Sequence, residues 1–294
     1  MVLEGPRGCG KTETARRLAA SELLFDLDPD IKRRLSLAPT SVLGGLTPRL
    51  LDEWQLAPAV WDHVRRAVDE RRESGQFLLT GSAHPQESAR RHSGAGRFAT
   101  VRMRPLTLRE THGQPHYISL SSLLRGETAH EIPDAAMQFS DYVEAIVRGG
   151  WPGNLARDLD GAIVANRGYL DATVDVELAA ASGARRDPWR IRRFLHAYAQ
   201  FTAQPARMQT IVDRAVAESE NDNAPSRQAA APYIDALRQL MVVDELPAWQ
   251  PSVRSSIRQV GTPKRHLVDP SLAAALLDTG SDRLIADLGT LGFL

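Results

Sequence analysis

The chain reads as an α/β protein: a parallel sheet flanked by helices, followed by a mainly helical region with the element order of a winged helix. Three observations predict this. Short apolar runs at Val2–Leu3, Arg49–Asp52 and Phe77–Ser82 alternate with stretches of helical periodicity, as strand–helix units of a parallel sheet do. A glycine-rich octapeptide separates the first run from the first helix. From Asp187 onward three helical stretches precede two short apolar runs with a polar segment between them.

Length and composition narrow the class. At 294 residues the chain exceeds what one core usually serves. The expected division is residues 1–150 for the sheet domain, 151–188 for a helical linker, 189–270 for the winged-helix-like domain and 271–294 for the start of a truncated region. Lys plus Arg equals Asp plus Glu at 36 each, so global charge gives no sign of a nucleic-acid partner. No run approaches the roughly 18 apolar residues of a membrane span, and the first residues are not a signal peptide. Cys9 is the only cysteine, which excludes an intrachain disulfide. These features lead us to expect a cytoplasmic protein with no membrane partner.

The first strand is Val2–Leu3 and the first helix Glu13–Ala20. Between them, residues 5–12 read Gly-Pro-Arg-Gly-Cys-Gly-Lys-Thr, a full match to G-x-x-x-x-G-K-[ST]. Gly5, Gly8 and Gly10 permit the torsions and close approach that side chains would block. Main-chain amides of Gly5, Pro6, Arg7, Gly8, Cys9, Gly10, Lys11, Thr12 and Glu13 form the expected nucleotide cradle, Pro6 lending only its backbone shape. Lys11 reaches the β- and γ-phosphates, and the Thr12 hydroxyl is a ligand for Mg²⁺.

Next, Leu24–Leu27 is available as a strand, and Arg49–Asp52 is an apolar strand ending in the acidic pair Asp52–Glu53. Paired with the upstream loop, Asp52 is expected to hold Mg²⁺ and Glu53 to act as general base on water. A helix over Pro58–Glu73 leads to Phe77–Ser82, a strand expected to insert between the two site-bearing strands, where Thr80 or Ser82 senses the γ-phosphate or positions water. Arg97, in Gly94–Phe98, is either a finger reaching a neighbouring subunit's γ-phosphate, which implies a homo-oligomer, or a salt-bridged surface residue. No Asn-Lys-x-Asp or Thr-Lys-x-Asp segment occurs, so ATP is preferred over GTP.

Together GPRGCGKT, RLLDEWQ, FLLTGSA, GRFATVRMRPLTLRE and Gly149–Pro152 resemble a large group of prokaryotic AAA-like P-loop ATPases with a C-terminal domain of unknown function. Asp244–Trp249 and Leu267–Pro270 match the later part of that pattern. The resemblance implies phosphate binding by Gly8, Gly10, Lys11 and Thr12, metal and water handling by Asp52 and Glu53, and nucleotide sensing near Ser82. Two departures stand out: only Met1–Glu4 precede Gly5, and members usually continue past this C-terminus into a restriction-endonuclease-like region. The chain is accordingly read as a fragment or truncated product.

Gly149–Gly153 marks the exit from the ATPase core, followed by a helix over Asn166–Ala181. Helices are then expected at Trp189–Phe201, Met208–Ala217 and Pro225–Met241, with short strands near Val242–Leu246 and Arg265–Val268 around a polar wing of Ser252–Lys264. That order raises a DNA or protein partner. DNA candidates are Ser226, Arg227, Gln228 and Arg238 near the third helix, Arg254, Arg258, Lys264 and Arg265 in the wing, and Arg190, Arg192 and Arg193 on the first helix. No metal-binding pair of H-E-x-x-H type and no G-x-S-x-G elbow occurs. Two functional readings follow: an Mg-dependent ATPase coupled to the winged helix, or a nucleotide-gated DNA- or protein-binding switch with little or no hydrolysis. A degenerate remnant is a third.

Overall fold

The computed structural model describes residues 1–82, 94–113, 119–127, 137–178, 187–218, 227–248 and 261–294. They cluster into two compact units that interleave along the chain. The first comprises Met1–Arg104, Val174–Asp187 and Gln228–Asp244; the second comprises Pro105–Thr173, Pro188–Arg227 and Glu245–Leu294.

The first unit is built on five parallel strands: β1 (Val2–Glu4), β2 (Ser21–Leu24), β3 (Arg49–Asp52), β4 (Phe77–Gly81) and β5 (Thr100–Arg102), in the order β2-β3-β4-β1-β5. The inserted strand expected from Phe77–Ser82 is β4, paired through Leu51↔Leu79 on one side and Leu3↔Thr80 on the other. β3 and β4 are buried along their whole length, as strands covered on both faces are. Alternate residues go to opposite faces. Val2, Leu51, Phe77 and Leu79 join the core of Ile31, Leu35, Val42, Trp54, Val60, Trp61 and Val64. That face is covered by α2 (Ile31–Leu37), α3 (Pro39–Leu43) and α4 (Val60–Arg71). Leu3, Leu50 and Leu78 pack with Ala15 of α1 (Lys11–Arg16) on the other. The strand expected at Leu24–Leu27 lies earlier, at Ser21–Leu24: the chain turns Phe25 into the core and leaves Leu27 exposed.

The second unit carries α5 (Leu108–His112), α6 (Leu120–Leu124), α7 (Phe139–Arg148) and α8 (Leu159–Ala172). α8 starts ahead of the expected Asn166 because the Asp158 side chain caps it, accepting from the Gly161 amide at 2.8 Å. A π-helical turn, Thr173–Glu177, follows in the chain and from Val174 belongs to the first unit. Next come α9 (Pro188–Ala199) and α10 (Met208–Ala217), which pack together in this unit, and then α11 (Arg227–Gln239), which from Gln228 onward belongs to the first unit. The strands expected near residues 242–246 and 265–268 reduce to single bridges: Leu246 and Pro205 each oppose Lys264, and Thr202 lies parallel to Arg265. The chain closes with α12 (Pro270–Leu276), α13 (Ser281–Ala286) and α14 (Leu288–Leu291). Val143, Val147 and Leu284 form one apolar cluster of this unit. Among the described residues no helix is long and apolar enough to cross a membrane.

A buried carboxylate ties α7's end to α12. Asp269 Oδ2 accepts from the Gly150 amide at 2.9 Å, while Oδ1 accepts from the Ser271 amide at 3.0 Å and its hydroxyl at 2.5 Å. Trp151 Nε1 donates to the same Ser271 hydroxyl at 3.2 Å. No side chain fits at Gly150, whose Cβ would overlap the Leu106 carbonyl. Burial pushes the Asp269 carboxyl above the usual carboxylate range, against the pull of Ser271 and Gly150. Asp269→Ala strands these donors and is expected to lower stability by about 2–4 kcal/mol in denaturant melts. A raised folded-state value means that the folded chain holds this proton more tightly. Wild-type stability therefore loses this contribution as pH climbs from the unfolded carboxylate value, about 3.9, through the folded one. The deficit of Asp269→Asn against wild type should narrow over that rise.

Candidate functional site

The carboxyl ends of β1, β3 and β4 lie side by side, the edge at which open parallel sheets carry their sites. β1 runs into Gly5, and Gly5–Gly10 turns back over the start of α1. Gly10 caps α1 at φ 97°, a left-handed torsion that disfavours any side chain. Gly5 has no room for one, because a Cβ would lie 2.7 Å from the Met103 carbonyl and 2.8 Å from Cys9 Sγ. Cys9 itself is buried, and burial raises its thiol above the ordinary range. It is a packing residue of the loop.

Lys11 is 5% exposed and donates to the Gly5 and Pro6 carbonyls at 3.0 and 2.9 Å. Two of its three N–H groups are thus used within the loop. Burial pushes its ammonium below the usual lysine range, while Cys9, Glu53 and Asp52 pull it back up. Thr12 Oγ1 donates to Asp52 Oδ1 at 2.9 Å. Thr80, fully buried on β4, donates to the same oxygen, so two hydroxyls from two elements converge on the carboxylate at the end of β3. Oxygen donors of this kind suit a hard divalent cation that takes its other ligands from phosphate and water. Among the described residues no group of three or more His, Cys, Asp or Glu gathers to hold a metal alone.

Glu53 follows with φ 53° and ψ 42°, a left-handed backbone costing of order 1–3 kcal/mol. It turns the carboxylate out of the strand line, where Gln55 Nε2 donates to Oε2 and Ser82 Oγ stands 3.5 Å from the same oxygen. The structure thus brings Lys11, Thr12, Asp52, Glu53, Thr80 and Ser82 to one edge. Glu13 points outward, accepting from Arg16 at 2.7 Å, so its contribution to a cradle is its amide. Arg7 leaves the loop and meets Glu177 at 2.9 Å. Arg97 donates to Asp69 at 2.6 Å and to the Ala95 carbonyl at 3.2 Å.

Sequence reasoning singled out neither Gln55 nor Glu177. Gln55 stood inside the RLLDEWQ motif, but only a turn that folds it back reveals its contact. Glu177 is remote in sequence from Arg7 and carries no local mark. Of the DNA candidates, Ser226, Arg254 and Arg258 lie outside the described residues, and only the helical backbone of Arg227 and Gln228 is described. Arg265 is buried, pairing with Glu245 and donating to the Ala206 carbonyl at 2.8 Å, so it serves the interior. Thr80→Val removes one of the two donors to Asp52, and we expect a stability loss of about 1–3 kcal/mol in thermal and denaturant melts, with Thr80→Ser near wild type.

Against known families, residues 1–112 match the AAA domain family and residues 139–283 match a domain of unknown function (DUF8612). No curated protein matches the chain. Among solved structures, one similar chain is the Walker-type ATPase PABY2304 of Pyrococcus abyssi, at a TM-score of 0.50 and 13% sequence identity over 94% of this chain and 90% of that one. At that identity the likeness is one of fold. The sheet and the matches agree on the fold: residues 1–112 resemble the AAA domain family on a P-loop-type parallel sheet, and residues 139–283 resemble a domain of unknown function.

Proposed function

We propose that this protein binds Mg·ATP at the edge formed by β1, β3 and β4 and hydrolyses it to ADP and phosphate. The observation carrying the proposal is the convergence of Thr12 and Thr80 on Asp52 beside an oriented Glu53. In this reading the amides of Gly8–Thr12 bind the β-phosphate oxygens, and the positive end of α1 favours the same charge. Lys11 exchanges its contacts with the Gly5 and Pro6 carbonyls for β- and γ-phosphate oxygens. Thr12 and Asp52 would hold Mg²⁺, which when bound neutralises charge developing on the phosphates. Glu53 takes a proton from water as the water oxygen bonds to the γ-phosphorus and the bond from that phosphorus to the bridging oxygen of ADP breaks. Ser82 is placed in this scheme to orient that water or the γ-phosphate. Arg97 is left out, because Asp69 already engages its guanidinium.

A second reading, a nucleotide-gated switch, is favoured by the Arg7–Glu177 ion pair. A polyphosphate in the loop competes with Glu177 for the guanidinium, so occupancy would be felt at the π-helical turn. The module that responds would be the winged helix, a reading supported by the packing of α9 on α10 and by the bridges at Thr202, Pro205, Leu246 and Lys264. Its partner would be protein or DNA, with Arg265 removed from the DNA-contacting set.

Glu53→Gln is expected to keep ATP affinity while steady-state turnover falls by about 10²–10⁴-fold. Wild-type turnover in that variant would end the base assignment. Lys11→Ala should weaken ATP binding by about 10- to 100-fold in a direct titration, the loss of charge-assisted bonds to phosphate. For the switch, partner affinity should depend on ATP occupancy, and ATP affinity on the partner by the same factor.

A further inference from the structure

We propose that Gln55 is the positioning residue of the reaction: its side-chain amide grips one oxygen of Glu53 so that the other faces the attacking water. The inference rests on the general-base reading of Glu53 and deepens it. Gln55 Nε2 donates to Glu53 Oε2, and Ser82 Oγ approaches that oxygen from the tip of β4. Glu53 Oε1 accepts no hydrogen bond among the described residues. The carboxylate is therefore held by one oxygen, with the second left to take a proton.

The grip has a rigid base. Gln55 sits in the short 3-10 turn Trp54–Leu56, whose start is fixed by Trp54, itself 1% exposed. The Trp54 ring lies 5.2 Å from Trp61, and Trp61 stacks on Phe98 at 3.9 Å. The turn closes with Leu56 N donating to the Glu53 carbonyl at 3.0 Å. Amide orientation is set by chemistry, since only the NH₂ end can face a carboxylate. The opposite end, Gln55 Oε1, is buried without a hydrogen-bond partner, a cost of about 1–3 kcal/mol. It rests against Gly81, where a Cβ would come within 2.6 Å of it and within 3.2 Å of Trp54 Nε1. An acceptor left unsatisfied in this way is the mark of a side chain oriented for its other end. Gly81 supplies the space that the orientation needs.

The test measures kcat for ATP hydrolysis, ATP affinity by direct titration and thermal midpoint for Gln55→Met, which keeps length and removes the donor. Expected are a kcat lower by about 10- to 100-fold, as small misplacements of a reacting group produce, with ATP affinity within about twofold of wild type and an unchanged midpoint. Gln55→Glu, isosteric and repelling Glu53, should lose kcat at least as strongly, and it decides the matter if the methionine variant does not fold. In a Glu53→Gln background, Gln55→Met should have no further effect, because the group it positions is gone. Wild-type kcat in the Gln55 variants overturns the proposal, as does a loss that appears only in ATP affinity. Full additivity with Glu53→Gln overturns it too. The parent reading fails separately, through wild-type turnover in Glu53→Gln alone.

Discussion

Asp52 sits at the end of a strand with no exposed residue, and its carboxylate is enclosed by the hydroxyls of Thr12 and Thr80. Both hydroxyls donate to one oxygen of this buried carboxylate, and a buried acceptor needs donors, so the pair is a condition of the fold as well as of any chemistry at the site. Meeting the condition fixes three elements at once. Thr12 locks the start of α1, Asp52 the end of β3, and Thr80 the strand between β3 and β1. With those three in register, Gly5–Gly10 can only arch over the edge, and Glu53, one residue on, can only emerge beside it. The left-handed backbone at Glu53 is the local strain of that exit.

Lys11 belongs to the same balance. Its ammonium is buried against two loop carbonyls and lies in the field of Asp52 and Glu53. The cation holds the loop closed on itself and offsets part of the acidic charge across from it. A polyanion entering the cradle meets a lysine whose desolvation is already complete, so the exchange of carbonyl for phosphate oxygen requires little new dehydration.

How much of this the sequence discloses depends on the range of each constraint. The loop was legible because glycine spacing and the Lys-Thr pair are local requirements of phosphate binding. So was the insertion of β4, from an apolar run ending at Thr80 and Gly81, whereas the hydrogen bond of Thr80 to Asp52 has no local mark, since the sequence offers Thr80 and Ser82 only as sensors of phosphate or water. β2 was placed late, because Leu24–Phe25 is apolar enough to read as strand when the core in fact takes Phe25 from the chain beyond it. The contacts of Gln55, Glu177 and Asp269 were not legible. Each depends on a turn, a distant ion pair or a long-range amide, with sequence separations of 2, 170 and 119 residues, and none leaves a periodic trace. Arg265 misled for a related reason: an arginine in an expected wing looks like a nucleic-acid contact until its guanidinium is found on Glu245 and the Ala206 carbonyl.

The proposed chemistry requires a triphosphate cradle completed by a divalent ion at Thr12 and Asp52. Calorimetric titration of the wild-type chain with ATP, with and without Mg²⁺ and alongside AMP, tests that claim most directly. Saturable binding of ATP that weakens when Mg²⁺ is chelated, with no comparable binding of AMP, is the predicted result. Equal affinity for AMP and ATP, or no heat with either, would contradict it.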